Sequence, residues 1–165
     1  MEAKINIAEI LKDKPQGTKL YSSACGKCEL KEADDKSFKI SFYSSKFGFM
    51  NGGEGIFDKN GNLYDDGECV VFPSKEMRDW LKFTWKKGDV LQHSEYPLTV
   101  IFESFEDDTY TSFKCKYCFD FESASKWLVS NSKCSTKHFY KVSAYEAKEF
   151  IKKVELNYNG KLNLD

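Results

Sequence analysis

Two pairs of cysteines have the spacing that zinc sites use. Cys25 and Cys28 form the first C-x-x-C pair, and Cys115 and Cys118 form the second. Two thiolates at this spacing in a tight turn reach one tetrahedral zinc ion, and two such pairs complete a four-cysteine site. If the protein binds zinc, these four cysteines are therefore its predicted ligands.

Two observations favour buried thiols over a zinc centre. The two pairs lie far apart in the chain, and the segment from Cys115 to Cys118 has a strand-like sequence. Positions three apart on a regular strand point to opposite faces of the sheet, so these two sulfurs would diverge. A thioredoxin-like redox role is also disfavoured, because neither pair lies between the strand and the helix of a βαβ unit. We therefore expect no cofactor, with zinc as the alternative.

A second candidate site lies between residues 78 and 87, where aromatic rings alternate with basic side chains. A flat ring beside a cation can stack a base and pair a phosphate. The predicted ligand-binding residues are Arg78, Trp80, Lys82, Trp85, Lys86 and Lys87. The same residues could instead form an exposed patch that anchors a partner protein. The plain alternative for Met77, Trp80 and Leu81 is core packing, because they lie on one helical stripe.

The sequence contains no recognisable set of catalytic residues. Acid–base and nucleophilic catalysis need groups paired at hydrogen-bonding distance. No G-x-S-x-G elbow, Walker-type loop or G-x-G-x-x-G motif occurs, and His93 and His138 each stand outside any known motif. The segment from Asp58 to Asn62 begins like a calcium loop, but Cys69 stands where a bidentate glutamate is required, so it predicts a turn. We predict that the protein is not an enzyme.

Composition and charge limit the kinds of partner. Hydrophobic residues make up 41% of the 165 residues and aromatic residues 16%, which is enough for a packed core. The net charge is -1 and Arg78 is the only arginine, so a sequence-specific nucleic-acid partner is disfavoured. No signal peptide and no apolar run of about 18 residues is visible. We expect a cytoplasmic protein with no membrane partner, and leave formation of a homo-oligomer open.

The hydrophobic periodicity predicts an α+β fold that is mainly antiparallel β. Alternation with a period of two predicts half-buried strands at 37–43 and 97–105. Helical spacing predicts a short helix at 5–12, a helix of two to three turns after Ser74 and a terminal helix after Ser143. We expect a small β-barrel body of the SH3-like type, with short peripheral helices and a C-terminal helix.

The predicted organisation is one compact domain. The domain, its two sub-halves and the terminal helix are expected at 1–165, 14–85, 86–142 and 143–156. The segments at 17–20 and 88–91, G-T-K-L and G-D-V-L, open strands in the same style. This similarity predicts two related halves as a variant of the same fold, although strand openings led by glycine are common.

Three segments of the chain carry a resemblance to a known family. They run from Gly17 to Ser22, Gly67 to Trp80 and Lys87 to Leu91, and they read G-T-K-L-Y-S, G-E-C-V-V-F-P-S-K-E-M-R-D-W and K-G-D-V-L. In these segments the chain resembles a family of small uncharacterised proteins encoded by gut Bacteroidales bacteria and their phages. The resemblance implies a phage accessory protein, of the kind that sequesters a signalling nucleotide or blocks a host protein to counter host defence.

These observations lead us to expect a non-enzymatic binding protein that sequesters a small anionic ligand such as a signalling nucleotide. One alternative is an interaction module that binds and inhibits a host protein, and another is a structural protein stabilised by zinc. A ligand binder needs a pocket, an interaction module needs an exposed patch, and a zinc protein needs converging thiolates.

Overall fold

The computed structural model describes residues 4–43, 53–62, 67–120, 126–128, 133–158 and 160–164. Contacts divide the chain into two compact units. Unit 1 comprises Met1–Thr84 and Asp108–Tyr110, and unit 2 comprises Trp85–Asp107 and Thr111–Asp165. The chain thus returns briefly to unit 1 between two strands of unit 2.

Unit 1 is built around a five-stranded antiparallel sheet. Its elements in chain order are α1 (Ile7–Lys12), β1 (Lys19–Ser22), β2 (Gly26–Ala33), β3 (Ser37–Phe42), β4 (Gly53–Asp58), β5 (Val71–Phe72) and α2 (Trp80–Phe83). The strands lie in the order β4-β3-β2-β1-β5, so the fifth strand pairs with the first. The three hairpins β1-β2, β2-β3 and β3-β4 are all antiparallel.

Unit 2 is built around a six-stranded antiparallel sheet and ends in a helix. Its elements are β6 (Val90–His93), β7 (Leu98–Phe105), β8 (Ser112–Asp120), β9 (Lys126–Leu128), β10 (Lys133–Ser135), a 3-10 turn (Thr136–His138), β11 (Phe139–Lys141) and α3 (Ala144–Tyr158). The main order is β10-β8-β7-β6-β11, and β9 also pairs with β8. As in unit 1, the last strand of the unit in chain order, β11, pairs with the first, β6.

This architecture confirms the predicted α+β class. The strands are mostly antiparallel and form two sheets, one of which is curled into a half-barrel. Short helices flank the sheets, and the C-terminal helix follows the last strand. None of the helices in the described residues is long and apolar enough to cross a membrane.

Capping side chains begin two of the helices where the sequence predicts. Ahead of α1, Asn6 Oδ1 accepts the N–H of Glu9 at 3.0 Å. Ahead of α3, the Ser143 N–H donates to Glu146 Oε2 at 2.9 Å, and the Glu146 N–H donates to Ser143 Oγ at 3.2 Å. These bonds satisfy N–H groups that have no carbonyl partner in a first helical turn.

The prediction of a helix of two to three turns after Ser74 is wrong. Ser74 Oγ accepts the N–H of Met77 at 2.9 Å and closes a separate turn. The helix α2 begins only at Trp80, because Asp79 is extended (φ -88, ψ 103) and its carboxylate accepts N–H groups of the first helical turn. Two capping residues in succession therefore divide the segment, which buries Met77 and Trp80 and leaves Leu81 61% exposed.

The same turn opens the first strand of each unit. Gly17 has φ 88° and Gly88 has φ 94°, a left-handed conformation that glycine adopts without strain. The Gly17 N–H donates to the Leu30 carbonyl at 2.8 Å, and the Gly88 N–H donates to the Phe102 carbonyl at 2.9 Å. In return, the Leu30 N–H donates to the carbonyl of Thr18 at 2.9 Å, and the Phe102 N–H donates to the carbonyl of Asp89 at 2.8 Å.

The equivalence extends to the other strands. In each unit the second strand shifts its register with the third strand directly after the residue that bonds the glycine, which is Leu30 on β2 and Phe102 on β7. The last strands, β5 and β11, begin alike, because the Ser23 N–H donates to the Val70 carbonyl at 2.9 Å and the Ser94 N–H donates to the His138 carbonyl at 2.8 Å. With β9 left aside, the two sheets also share one order of strands.

Unit 2 buries both faces of its sheet. On one face lies an apolar cluster, named here the Trp85 cluster, of Trp85, Leu91, Val100, Phe102, Phe113, Cys115 and Phe139. On the other face Val90 and Ile101 pack with Val154 of α3. The equivalent positions of unit 1 are Lys19 and Glu29, which form an ion pair at the surface. The apolar pair of unit 2 therefore packs against a helix, whereas the charged pair of unit 1 is exposed to solvent.

Candidate functional site

Unit 1 has an open groove of about 520 Å³, a size typical of small-molecule sites. Its walls come from the start of the chain, the segment between β4 and β5, β5 itself and α2. Among its lining residues are Lys4, Asn60, Asn62, Cys69, Phe72 and Trp80. We call it the unit 1 groove, and it combines two aromatic side chains with a few polar groups.

Trp80 lines the groove with part of a ring that is otherwise buried. Only 4% of its surface is exposed, and its indole Nε1–H donates to the Val71 carbonyl at 3.1 Å. Phe83 packs edge-on against the ring, with centroids 5.4 Å apart and planes at 89°. The hydrogen bond and this contact fix the indole, so the groove has one rigid aromatic wall.

Arg78 stands beside the groove and covers one of its aromatic residues. The guanidinium carbon lies 4.6 Å from the centre of the Phe72 ring and 5.9 Å from that of Tyr21. Its Nε–H donates to the Lys75 carbonyl at 3.2 Å. The side chain is exposed, so most of its five N–H groups face solvent.

The turn between β4 and β5 forms one side of the groove. Asp58 Oδ1 accepts the N–H groups of Asn60 and Asn62, both at 2.9 Å, which confirms the predicted turn. Gly61 has φ 79°, and a Cβ there would lie 2.8 Å from Cys69 Sγ. Asn62 is only 5% exposed although it lines the groove, so packing fixes its side-chain amide.

The thiol in the groove is neutral. Cys69 Sγ donates to the Val71 carbonyl at 3.2 Å, and burial raises the pKa of this thiol above its ordinary value. A protonated thiol is a poor nucleophile and a poor metal ligand. The formal charges at the groove therefore belong to Lys4 and Glu68 on its lining and to Arg78 beside it.

The structure brings two of the six predicted ligand-binding residues to this groove. Trp80 lines it, and Arg78 stands beside it through Phe72. Lys82 lies on α2 and is half-buried, and this burial lowers the pKa of its ammonium group. Its carboxylate neighbour Asp79 acts in the opposite direction but is the smaller cause.

The other three predicted residues belong to unit 2. Trp85 is 4% exposed and packs inside the Trp85 cluster, with the rings of Phe102 and Phe113 5.8 and 5.7 Å away. The Trp85 ring is therefore part of the apolar core of unit 2. Lys87 pairs with Glu103 at 3.3 Å, and Lys86 is exposed.

The four predicted zinc ligands are divided between the units. Cys25 and Cys28 belong to unit 1, whereas Cys115 and Cys118 belong to unit 2. Burial raises the pKa of the Cys28 thiol to about 12. Over the described ranges of the chain, no three side chains of His, Cys, Asp or Glu converge as ligands of a metal ion.

Cys115 and Cys118 lie on the same side of β8, so the expectation that their sulfurs diverge is wrong. The register between β7 and β8 shifts at Lys116, which is an extra residue on β8. An extra residue reverses the alternation of side chains beyond it. Cys118 consequently packs against the Trp85 cluster, which contains Cys115.

The two histidines form a stacked pair that no sequence motif indicates. The rings of His93 and His138 lie 5.5 Å apart at 14°. His93 Nδ1 accepts the N–H groups of Glu95 at 3.0 Å and Tyr96 at 3.2 Å. His93 therefore organises the turn after β6.

Sequence reasoning missed most of the groove. The sequence predicts only a turn at Asn60 and Asn62 and indicates no site at Cys69 or Phe72, although all four residues line the groove. The available signal was the dense cluster of turn residues and an apolar run just before Trp80. These residues become one lining only through the pairing of β5 with β1 and the packing of α1 and α2.

Comparison with known proteins gives no match: no family model, no curated protein and no solved structure is significantly similar to the chain.

Proposed function

We propose that this is a non-enzymatic binding protein whose unit 1 groove takes a small anionic ligand with a planar ring, of the nucleotide class. The observation that carries the proposal is the placement of the only arginine, Arg78, beside a groove with an aromatic wall from Trp80. Guanidinium groups bind phosphate through two parallel hydrogen bonds. Aromatic walls bind flat rings through stacking or edge contacts.

The polar groups of the groove support the same ligand class. The side-chain amides of Asn60 and Asn62 can each donate and accept, as the edge of a base requires. Lys4 adds a second cation to that of Arg78. Ring recognition inside the groove and phosphate recognition beside it would together orient a nucleotide.

The biological setting of the proposal comes from the resemblance to proteins of Bacteroidales phages. In that setting a cytoplasmic protein of phage or mobile-element type would sequester a signalling nucleotide and thereby counter a host defence. Sequestration needs affinity and abundance but no turnover. The neutral thiol of Cys69 is in keeping with a site that binds without reacting.

The proposal is tested by titrating the purified protein with AMP, a cyclic nucleotide and adenosine, using calorimetry. We expect the phosphorylated ligands to bind more tightly than adenosine. The variant Arg78→Ala should weaken AMP binding at least about tenfold, because a hydrogen bond to a charged group is worth about 1.5–3 kcal/mol. Adenosine binding should stay unchanged in this variant.

The matched control is Lys152→Ala, which removes an exposed cation of unit 2. This variant should bind all three ligands like the parent protein. The proposal is rejected if neither AMP nor the cyclic nucleotide binds with a Kd below about 1 mM. It is also rejected if Arg78→Ala and Lys152→Ala weaken AMP binding equally, because the effect would then be one of net charge.

The second candidate function is an interaction module that binds a host protein. Leu81 favours it, because 61% of this large apolar side chain is exposed on α2 close to Arg78. The tryptophans that would anchor such a patch are buried, which ranks this function second. Ligand-free protein that co-purifies with one host protein, and loses it in Leu81→Ala, would reverse the order.

A further inference from the structure

Two cysteines from neighbouring strands of unit 2 come together. Cys134 on β10 and Cys115 on β8 have their sulfur atoms 3.9 Å apart. The strands pair antiparallel, with Cys134 opposite Phe113, so Cys115 is its diagonal neighbour on the same face. Cys115 belongs to the second C-x-x-C motif and Cys134 to neither motif, so sequence spacing gives no sign of this pair.

The separation of the two sulfurs fits a shared metal ion. With metal–sulfur bonds of about 2.3 Å, two sulfurs on one ion lie at most about 4.6 Å apart, so sulfurs 3.9 Å apart can both reach the same ion. A disulfide needs a sulfur separation of about 2.05 Å and closely spaced Cα atoms, which diagonal neighbours rarely offer. All six cysteines lie in described parts of the chain, and none forms a disulfide.

The surroundings favour a soft ion of low coordination number. Cys115 is fully buried in the Trp85 cluster, and Cys134 packs against the same cluster while remaining partly exposed. Cys118 packs against the same cluster and acts electrostatically on Cys134, but within the described residues no group of three His, Cys, Asp or Glu side chains is placed to hold a metal ion. Thiolates in apolar surroundings select soft ions, whereas a structural zinc ion requires four ligands.

We propose that Cys115 and Cys134 form a two-thiolate site for a soft monovalent metal ion of the Cu(I) class. Cys134 is the point of entry, since it is the more exposed of the two. Each thiol gives its proton to solvent as its sulfur bonds the metal. One ion therefore displaces two protons, and the complex carries one net negative charge.

The apo site holds its protons firmly. The hydrogen bond between the two thiols and the burial of Cys134 raise the pKa of that thiol. Metal binding must overcome this preference, so its affinity should increase with pH. Proton release gives a readout of binding that is independent of any activity of the protein.

The test is a titration of reduced, metal-free protein with Cu(I) under anaerobic conditions, in competition with a chromogenic chelator. It is run in the Cys25→Ser background, because the C-x-x-C pair of unit 1 can itself bind soft ions. We expect one ion per chain. Adding Cys134→Ser should weaken binding by more than about 100-fold, since even partners outside the ligand set are worth about 10- to 100-fold.

The matched control is Cys69→Ser in the same background, which removes a half-buried thiol of unit 1 and should leave binding unchanged. Circular dichroism checks that the Cys134→Ser variant is folded. A second measurement needs no change at the site: Cu(I) should protect Cys134 from maleimide labelling, mapped by mass spectrometry. Equal binding by the Cys134→Ser and Cys69→Ser variants, or unprotected Cys134, would overturn the proposal.

Discussion

Gly17 and Gly88 make the same hydrogen bond from the same left-handed backbone conformation, one in each unit. Because the following bonds, the register shift and the start of the last strand also recur, the two units share local detail as well as strand order. They differ in what the outer face of the sheet carries. Lys19 of unit 1 is replaced by Val90 in unit 2, where α3 packs.

The first prediction concerns the turn that opens unit 1. Replacing Gly17 with alanine should destabilise the protein by about 1–2 kcal/mol, because a Cβ disfavours positive φ. Nothing lies within 4 Å of the added Cβ, so the loss reflects backbone strain alone. Urea denaturation measures it. Gly17→Asn should cost less than Gly17→Ala, since asparagine tolerates this conformation, and equal losses would contradict the explanation.

The second prediction concerns the indole wall of the groove. Trp80→Phe removes the Nε1–H that donates to the Val71 carbonyl and should cost about 1–3 kcal/mol, besides the loss of packing. Thermal unfolding with calorimetric analysis measures the change. Leu81→Ala, at an exposed neighbouring position, should stay within about 0.5 kcal/mol of the parent. A larger effect at Leu81 than at Trp80 would show that the core is assigned incorrectly.

The third prediction concerns pH. Burial raises the pKa of the Cys28 thiol from 9.0 to about 12, so the folded state binds this proton more tightly than the unfolded state. The contribution is complete below pH 9 and is lost as pH rises towards 12. At about pH 10 the loss should be about 1.4 kcal/mol.

Urea denaturation of the parent and of Cys28→Ala at about pH 8 and pH 10 separates this thiol from other groups. The parent should lose more stability than the variant over this interval. Parallel losses in both proteins would show that the folded environment of Cys28 does not hold its proton.

The fourth prediction concerns Tyr110, a residue other than glycine with positive φ, at 55°. Its hydroxyl donates to the Lys19 carbonyl at 2.7 Å, and its ring packs edge-on against Phe83 at 5.0 Å. Tyr110→Phe should cost about 0.5–1.5 kcal/mol in denaturation experiments. Tyr145→Phe removes a hydroxyl from an exposed ring of α3 and should have no measurable effect, and similar losses for both would refute the assignment.

Local sequence was sufficient to identify the parts of this fold. The turns at Asp58 and Gly17, the capping residues Asn6 and Ser143, and the alternation along β3 were all readable in the chain. Each depends on hydrogen bonds or side-chain directions set within a few residues, which is why a single sequence predicts the antiparallel α+β class.

Contacts between distant segments decided the rest. An extra residue at Lys116 turned Cys118 to the side of Cys115, and the pairing of β10 with β8 brought Cys134 to the same place. The groove joins side chains from four separate segments. These outcomes follow from strand register and from packing, in which many weak contacts between remote residues compete, so no local pattern encodes them.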